Sequence, residues 1–320
     1  MNEITTTRQN HLIDPVMHVW GWEIPVYLFL GGMVAGIMIL TGARLLGRDR
    51  EEVSTAMGLL PWTAPVAITL GMFFLWLDLA HPFNAWRFYL TLKISSPMSW
   101  GAWILLGIYP ASILLAWLTT PENLRTRVRK RMEGFPLFDR VETWTQDRVR
   151  LLAWVNIVLG GALGVYTGVL LGTMAARPLW NSALLGPLFL VSGLSTGAAF
   201  MLLYRLTDRE RIFLGRTDMG LISVEIVLLV LWMIGLAAGG AASQSGLQVI
   251  MGGTYTAAFW TLVVALGLVV PLVGEWLEFK HGVVPGRGTA VLVLIGGFAL
   301  RWILVFGGQA TGWVTDLALR

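Results

Sequence analysis

The chain has 320 residues, 56% of them hydrophobic and only 13% charged, with no cysteine and a net charge of +4. A soluble domain carries roughly a quarter charged residues, so this composition belongs to a chain that lives in lipid. The lack of cysteine excludes disulfides, thiolate-bound zinc and cysteine-ligated iron–sulfur clusters within the chain, and no nucleic-acid partner is expected.

Crossing a bilayer takes about 20 apolar residues. Eight segments meet that length, roughly 23–43, 58–79, 99–119, 151–176, 183–204, 219–242, 254–277 and 288–308. They predict an all-α integral membrane protein in which residues 1–320 form one domain. Residues 1–20 (MNEITTTRQNHLIDPVMHVW) lack the short apolar core and small-residue cleavage site of a secretory signal, so the first segment is expected to stay as an anchor. That segment opens with Glu23 and Tyr27, four residues apart and hence on one helical face. The second carries Pro61 and Pro65 in its opening turns, where a missing N–H costs least.

The second segment closes on LWLDLAHP (75–82), which sets Asp78 and His81 at a boundary where Trp, Tyr, Lys and Arg are usual. After the third comes RTRVRKRMEGFPLFDRVETWTQDRVR (125–150), an amphipathic basic stretch suited to anionic headgroups or to a docking partner. In the fourth, Gly160, Gly164, Gly168 and Gly172 recur every four residues and make a stripe for close helix packing. Tyr166 lies about 200° around the helix from Gly164, facing a different neighbour or a cavity, and Arg177 follows at the segment's end. Further on, Glu225 and Arg301 lie inside apolar segments, where ionisable groups are costly and point to function by default. They read equally as a buried ion pair or as part of a proton path, while Glu275 and Glu278 read as an interfacial pair.

Assigning alternate loops to opposite sides puts 17 of the 23 Lys and Arg residues on one side and 5 on the other, with Arg301 inside the last segment. The positive-inside rule then places both termini in the periplasm of a multi-pass inner (cytoplasmic) membrane protein. With that orientation Glu23, Tyr27, Asp78, His81, Tyr166 and Arg177 all fall at the outer face, near Trp20, Trp22, Trp76 and Trp86. Such a pocket suits a quinone head, an apolar ring whose two oxygens need hydrogen bonds and exchange two protons on interconversion with quinol. A carboxylate and an imidazole can exchange those protons near neutral pH. Haem b held by paired histidines is excluded as a competing redox reading. His11, His18, His81 and His281 all lie at or outside segment ends. No metal site is expected.

Five stretches, YLFLGGMVAG (27–36), LDLAHP (77–82), SPMSWGAWIL (96–105), YTGVLL (166–171) and RPLWNS (177–182), together resemble the NrfD/PsrC family of polysulfide reductase-like membrane subunits, related to membrane subunits of alternative complex III. The resemblance implies eight transmembrane helices arranged as two four-helix bundles. It also implies a quinone or quinol site, for menaquinone or ubiquinone, with no haem or iron–sulfur cluster in the chain. The implied partners are a periplasmic ferredoxin-like iron–sulfur subunit together with a molybdopterin catalytic subunit or a multihaem cytochrome c. The family's pocket positions map onto Glu23, Tyr27, Tyr166, Asp78 and His81, with Asp78 and His81 as the proton-exchanging pair. Because some relatives are proposed to move protons, Glu225, Glu275 and Arg301 become candidates for a half-channel from the cytoplasm. The rival readings are a secondary transporter or proton channel, which would favour polar groups at the midplane, and a structural membrane anchor without its own quinone site.

Overall fold

The computed structural model describes residues 20–47, 53–90, 92–132, 135–174 and 176–311. His11, His18 and both chain termini lie outside the described residues. Among the described residues, eight helices are long and apolar enough to cross a membrane: α1 (Glu23–Leu46), α2 (Thr55–Asp78), α3 (Pro97–Thr119), α4 (Val149–Gly172), α5 (Leu185–Leu202), α6 (Asp208–Ala238), α7 (Thr256–Lys280) and α8 (Arg287–Ala310). No strand occurs among the described residues, as expected where each backbone polar group must find its partner inside its own segment.

Helices α1 and α5 are the most deeply buried and form the centre. The α1 helix packs on α2, α4, α5 and α8, and α5 packs on α4, α6 and α8. Glycines make this possible. A Cβ at Gly36 would fall on the carbonyl of Gly193, and one at Gly197 would lie 2.7 Å from the Gly36 Cα. Apolar side chains gain nothing by leaving lipid for one another, so close backbone contact and dispersion carry the association. The α4 glycine stripe behaves as its spacing predicts. Gly160 meets α1 at Ala35 and Ile39, while Gly164 and Gly168 meet α5 at Leu190 and Leu185. Tyr166 points the other way, against Gly101 of α3.

Polar contacts gather the helix ends into two groups. At one end, the Trp20 N–H donates to Gln309 Oε1 at 2.7 Å, and Arg177 donates to the carbonyls of Gln309 and Thr311 at 2.6 and 2.9 Å. At the other, the Ser54 N–H donates to Glu210 at 3.1 Å, Arg44 lies 3.8 Å from the same carboxylate, and Arg211 Nε donates to the Pro285 carbonyl at 2.9 Å.

The expected boundaries agree with the helices to within a few residues, except at α6. That helix begins at Asp208 rather than 219. A capping box starts it: Thr207 Oγ1 accepts the Glu210 N–H at 3.4 Å while Glu210 Oε2 accepts the Thr207 N–H at 2.9 Å. The first three turns, DRERIFLGRTD, are too polar for a hydropathy window yet are helical, so a stretch read as loop is helix. Helix α7 contains a π-helical stretch from Phe259 to Val269, followed closely by the buried Pro271.

Candidate quinone cavity and a buried polar line

The second helix ends at Asp78, and Leu79 turns extended (φ −71°, ψ 128°). The chain then runs through a short 3₁₀ turn, Pro82–Asn84, and a single helical turn, Arg87–Leu90, before α3 starts behind Pro97. Under this connection lies a cavity of about 460 Å³, walled by α1, α2, α3, α4 and the connection itself. Its walls are mostly apolar (Ile24, Leu28, Met72, Leu105 and Leu171 among them), and a few polar groups converge on it. That is the usual build of a small-molecule site.

The polar groups lie at two levels. Near the helix ends stand Asp78, Tyr89, Tyr27 and Tyr166. Asp78 Oδ1 accepts the Gly21 N–H at 3.3 Å. An acid at a helix C-terminus opposes the helix dipole, so helix stability does not explain it. The Tyr27 hydroxyl is buried and has no hydrogen-bond partner among the described residues, a costly state unless something else supplies one. The Tyr166 hydroxyl reaches across α3 only because residue 101 is glycine; a Cβ there would fall on the phenol. Tyr89 is half-buried, and desolvation, with the Tyr109 phenol adding to it, holds its hydroxyl above the ordinary range and so in the donor form at neutral pH. Nine residues up α2 from Asp78, about 13 Å at 1.5 Å per residue, Thr69 Oγ1 and the Tyr109 hydroxyl meet at 3.3 Å on an exposed side of the cavity. Trp20, stacked on Trp180 at 5.4 Å, and Trp76 supply aromatic wall.

A second polar feature crosses the other half of the protein. Glu275 of α7 and Asp218 of α6 face each other, and Ser195 Oγ donates to Asp218 Oδ1 at 2.6 Å. One turn along α5, Ser192 lies between Glu225 of α6 and Arg301 of α8. Arg301 is fully buried. It donates to Ser192 Oγ at 3.1 Å, to the Gly297 carbonyl at 2.7 Å and to the Leu28 carbonyl at 3.3 Å, and it lies against the rings of Phe29 and Phe189. No direct salt bridge joins Arg301 to Glu225. Ser192 bridges the two side chains, which still feel each other's charge across it. Among the described residues, both Glu275 oxygens, Asp218 Oδ2 and Arg301 Nη2 lack hydrogen-bond partners.

A family profile described as "Polysulphide reductase, NrfD" matches residues 9–312. The chain belongs to the NrfD family. It is 31% identical over 309 residues to "Protein NrfD" of Escherichia coli (strain K12), covering 92% of this chain and 96% of that one. It is 30% identical over 307 residues to the polysulfide reductase C chain of Wolinella succinogenes, covering 91% and 94%. To the selenate reductase C subunit of Mesobacillus selenatarsenatis it is 25% identical over 312 residues, covering 89% and 73%. The resemblance read from the five short stretches is therefore the family of nearly the whole chain.

Within this NrfD-family chain, Tyr27, Asp78 and Tyr166 come together in the cavity wall, and so do Trp20 and Trp76. Glu23 stands at the first position of α1 with its carboxylate folded over Gly21, beside the wall rather than in it. Arg177 spends its guanidinium on the end of α8. His81 is exposed and outside the cavity wall. Its i+3 spacing from Asp78 places the two together only on a continuing helix, and the helix stops at Asp78. Glu225 and Arg301 meet at Ser192, and one turn along α5 Glu275 faces Asp218, which accepts from Ser195. Reasoning from the sequence missed Asp218, Ser192 and Ser195, and also Thr69, Tyr89 and Tyr109 in the cavity.

Proposed function

We propose that this chain is the quinone-reactive membrane subunit of a reductase complex, exchanging electrons between the quinone pool and an iron–sulfur partner docked at the Asp78 end of the helices. The observation that carries the reading is the cavity itself. It is apolar enough for a quinone ring and has a buried Tyr27 hydroxyl with no hydrogen-bond partner among the described residues. The relatives' names, which make them components of a polysulfide reductase and a selenate reductase, support a subunit role beside a catalytic partner. The charge bias of the loops supports placing that end at the periplasm of the inner membrane, with both termini on the same side.

In this reading Tyr27 and Tyr166 donate to the quinone oxygens, and Asp78 takes or returns the proton at the helix-end wall of the cavity. His81, three residues further and exposed, passes it to the aqueous side. Glu23, over the Gly21 loop that donates to Asp78, sets the electrostatics of the mouth, and Arg177 holds that mouth to α8. The rings of menaquinone and ubiquinone are both compatible with an apolar wall. The line from Glu275 through Asp218 to Arg301 supplies a proton route from the opposite side.

The test uses the purified complex with its partner subunits. We predict that Asp78→Asn and Tyr166→Phe each lower quinol-linked turnover by roughly tenfold or more, with His81→Ala lowering it less. Reduction of the terminal substrate by an artificial donor, which bypasses the membrane subunit, stays at the unmodified rate. Unchanged quinol turnover in Asp78→Asn, with the complex intact, would remove the proposed role.

A further inference from the structure

Between α3 and α4 the chain folds into two helices, Glu122–Arg131 and Pro136–Asp147. They are clamped by Arg129, whose Nε donates to Glu142 Oε2 at 3.0 Å, with Phe138 set edge-on to Trp117 of α3 at 5.5 Å. The second helix has three distinct sides. Phe138, Glu142 and Thr145 turn inward, the last two buried. Asp139, Thr143 and Gln146 form an exposed polar side. The third side, Leu137, Val141 and Trp144 at positions i, i+4 and i+7, is apolar and exposed at 73%, 42% and 43%. Arg148 continues that stripe, its guanidinium 5.6 Å from the Trp144 ring.

An apolar stripe on a helix outside the spans has to be covered by something. We infer that Pro136–Asp147 is an interfacial anchor that lies along the membrane surface, its Leu137–Val141–Trp144 stripe in the acyl boundary and its flanking cations on anionic phospholipid headgroups. Charge complementarity selects this occupant. Arg127, Lys130, Arg131, Arg140, Arg148 and Arg150 are exposed around the stripe, and the adjoining helix is strongly basic. Such a mixture of apolar stripe, aromatic residue and Arg/Lys flank is what binds a negatively charged bilayer surface. Continuity supports it too. Only Arg148 separates this helix from α4, where Leu151, Trp154 and Val158 form an exposed apolar face. The Phe138–Trp117 contact seats the helix against α3, and the Arg129–Glu142 clamp ties it to the preceding helix.

The chain has no cysteine, so single cysteines can be introduced for spin labelling. In the full chain reconstituted in nanodiscs, Val141→Cys and Trp144→Cys report the stripe, and Thr143→Cys and Gln146→Cys report the opposite side. The expected result is a ratio of oxygen to nickel-chelate accessibility higher by roughly twofold or more at 141 and 144 than at 143 and 146. The contrast should increase when phosphatidylglycerol is added to phosphatidylcholine and shrink at high salt. Equal water exposure at all four positions overturns the inference. Shielding of 141 and 144 from both relaxants also overturns it, because it means a protein neighbour covers the stripe. A contrast indifferent to phosphatidylglycerol overturns the anionic-headgroup part. Circular dichroism and retained monodispersity of each labelled variant separate these outcomes from misfolding.

Discussion

Tyr166 owes its position in the cavity to a glycine on another helix. Gly101 leaves a gap in α3 through which the phenol passes, and any side chain there collides with the ring. We therefore predict that Gly101→Ala weakens quinone-analogue binding about as much as Tyr166→Phe does, without loss of the folded protein. Residues in direct contact are not energetically independent. Gly101→Ala in a Tyr166→Phe background should accordingly add much less than the sum of the two single changes. Titration with a quinone analogue, followed by fluorescence quenching, reads all three variants; full additivity would show that Gly101 acts elsewhere. Thr69 and Tyr109 illustrate the same dependence on neighbours. Tyr109 precedes Pro110, which removes one helical N–H from α3, and its hydroxyl meets Thr69 across the cavity. A mid-span phenol needs a partner when buried, which is the sequence signal that could have marked it. The identity of that partner depends on how α2 and α3 face each other.

At the scale of the helices, the α1–α5 crossing sets the spacing of everything else. Gly32 and Gly36 of α1 meet Gly193 and Gly197 of α5 with backbone against backbone, and Gly32 also leaves room for the Arg301 guanidinium. Adding a methyl at Gly36 must separate the helices, and overpacking of this kind costs about 1–3 kcal/mol. Gly161 has nothing within 4 Å of the place a Cβ would take, and alanine in a helix interior gains about 0.5–1 kcal/mol over glycine. We predict that Gly36→Ala lowers the thermal unfolding midpoint in detergent while Gly161→Ala leaves it unchanged or raises it. Both changes add the same methyl, so a matching loss at the two positions would mean that close approach is not what decides.

The eight spans were legible because lipid imposes a length of apolar residues on every crossing helix. The start of α6 was not, because its first three turns are polar. Thr207 and Glu210 nevertheless carry a capping-box pattern in the sequence itself. Missing that start hid Asp218, which read as part of a loop and is instead a fully buried acid on α6. The cavity was half legible. Asp78, Tyr27 and Tyr166 could be brought together from helix direction alone. The exposed place of His81 depends on where one helix stops, which spacing does not specify.

Across the whole molecule, the cavity and the buried polar line occupy different halves and meet at α1. Tyr27 and Leu28 wall the cavity, and the Leu28 carbonyl accepts from Arg301 on the other side. Two facing carboxyls such as Glu275 and Asp218 hydrogen-bond only when one of them carries a proton, and Ser195 and Ser192 stand one turn apart on α5 beside the acids. Access from the second group of helix ends is narrow. A small cavity beside Glu275 is lined by Gly215, Arg216, Phe279 and Pro285. Arg211 fixes that loop through the Pro285 carbonyl, and Glu278 accepts the Gly286 N–H at 3.0 Å. If the line carries protons, neutralising its central acid should interrupt transfer without touching the proposed quinone cavity. We predict that Asp218→Asn, in proteoliposomes holding the whole complex, lowers proton movement per electron roughly tenfold, measured with an enclosed pH dye. Quinol-linked turnover with an ionophore present should match the unmodified complex. Glu275→Gln should behave alike, because it removes the same exchange one step nearer the water. Loss of ionophore-treated turnover in Asp218→Asn would instead make the line a structural support of the proposed quinone cavity. Unchanged proton movement would leave these buried acids with a packing role alone.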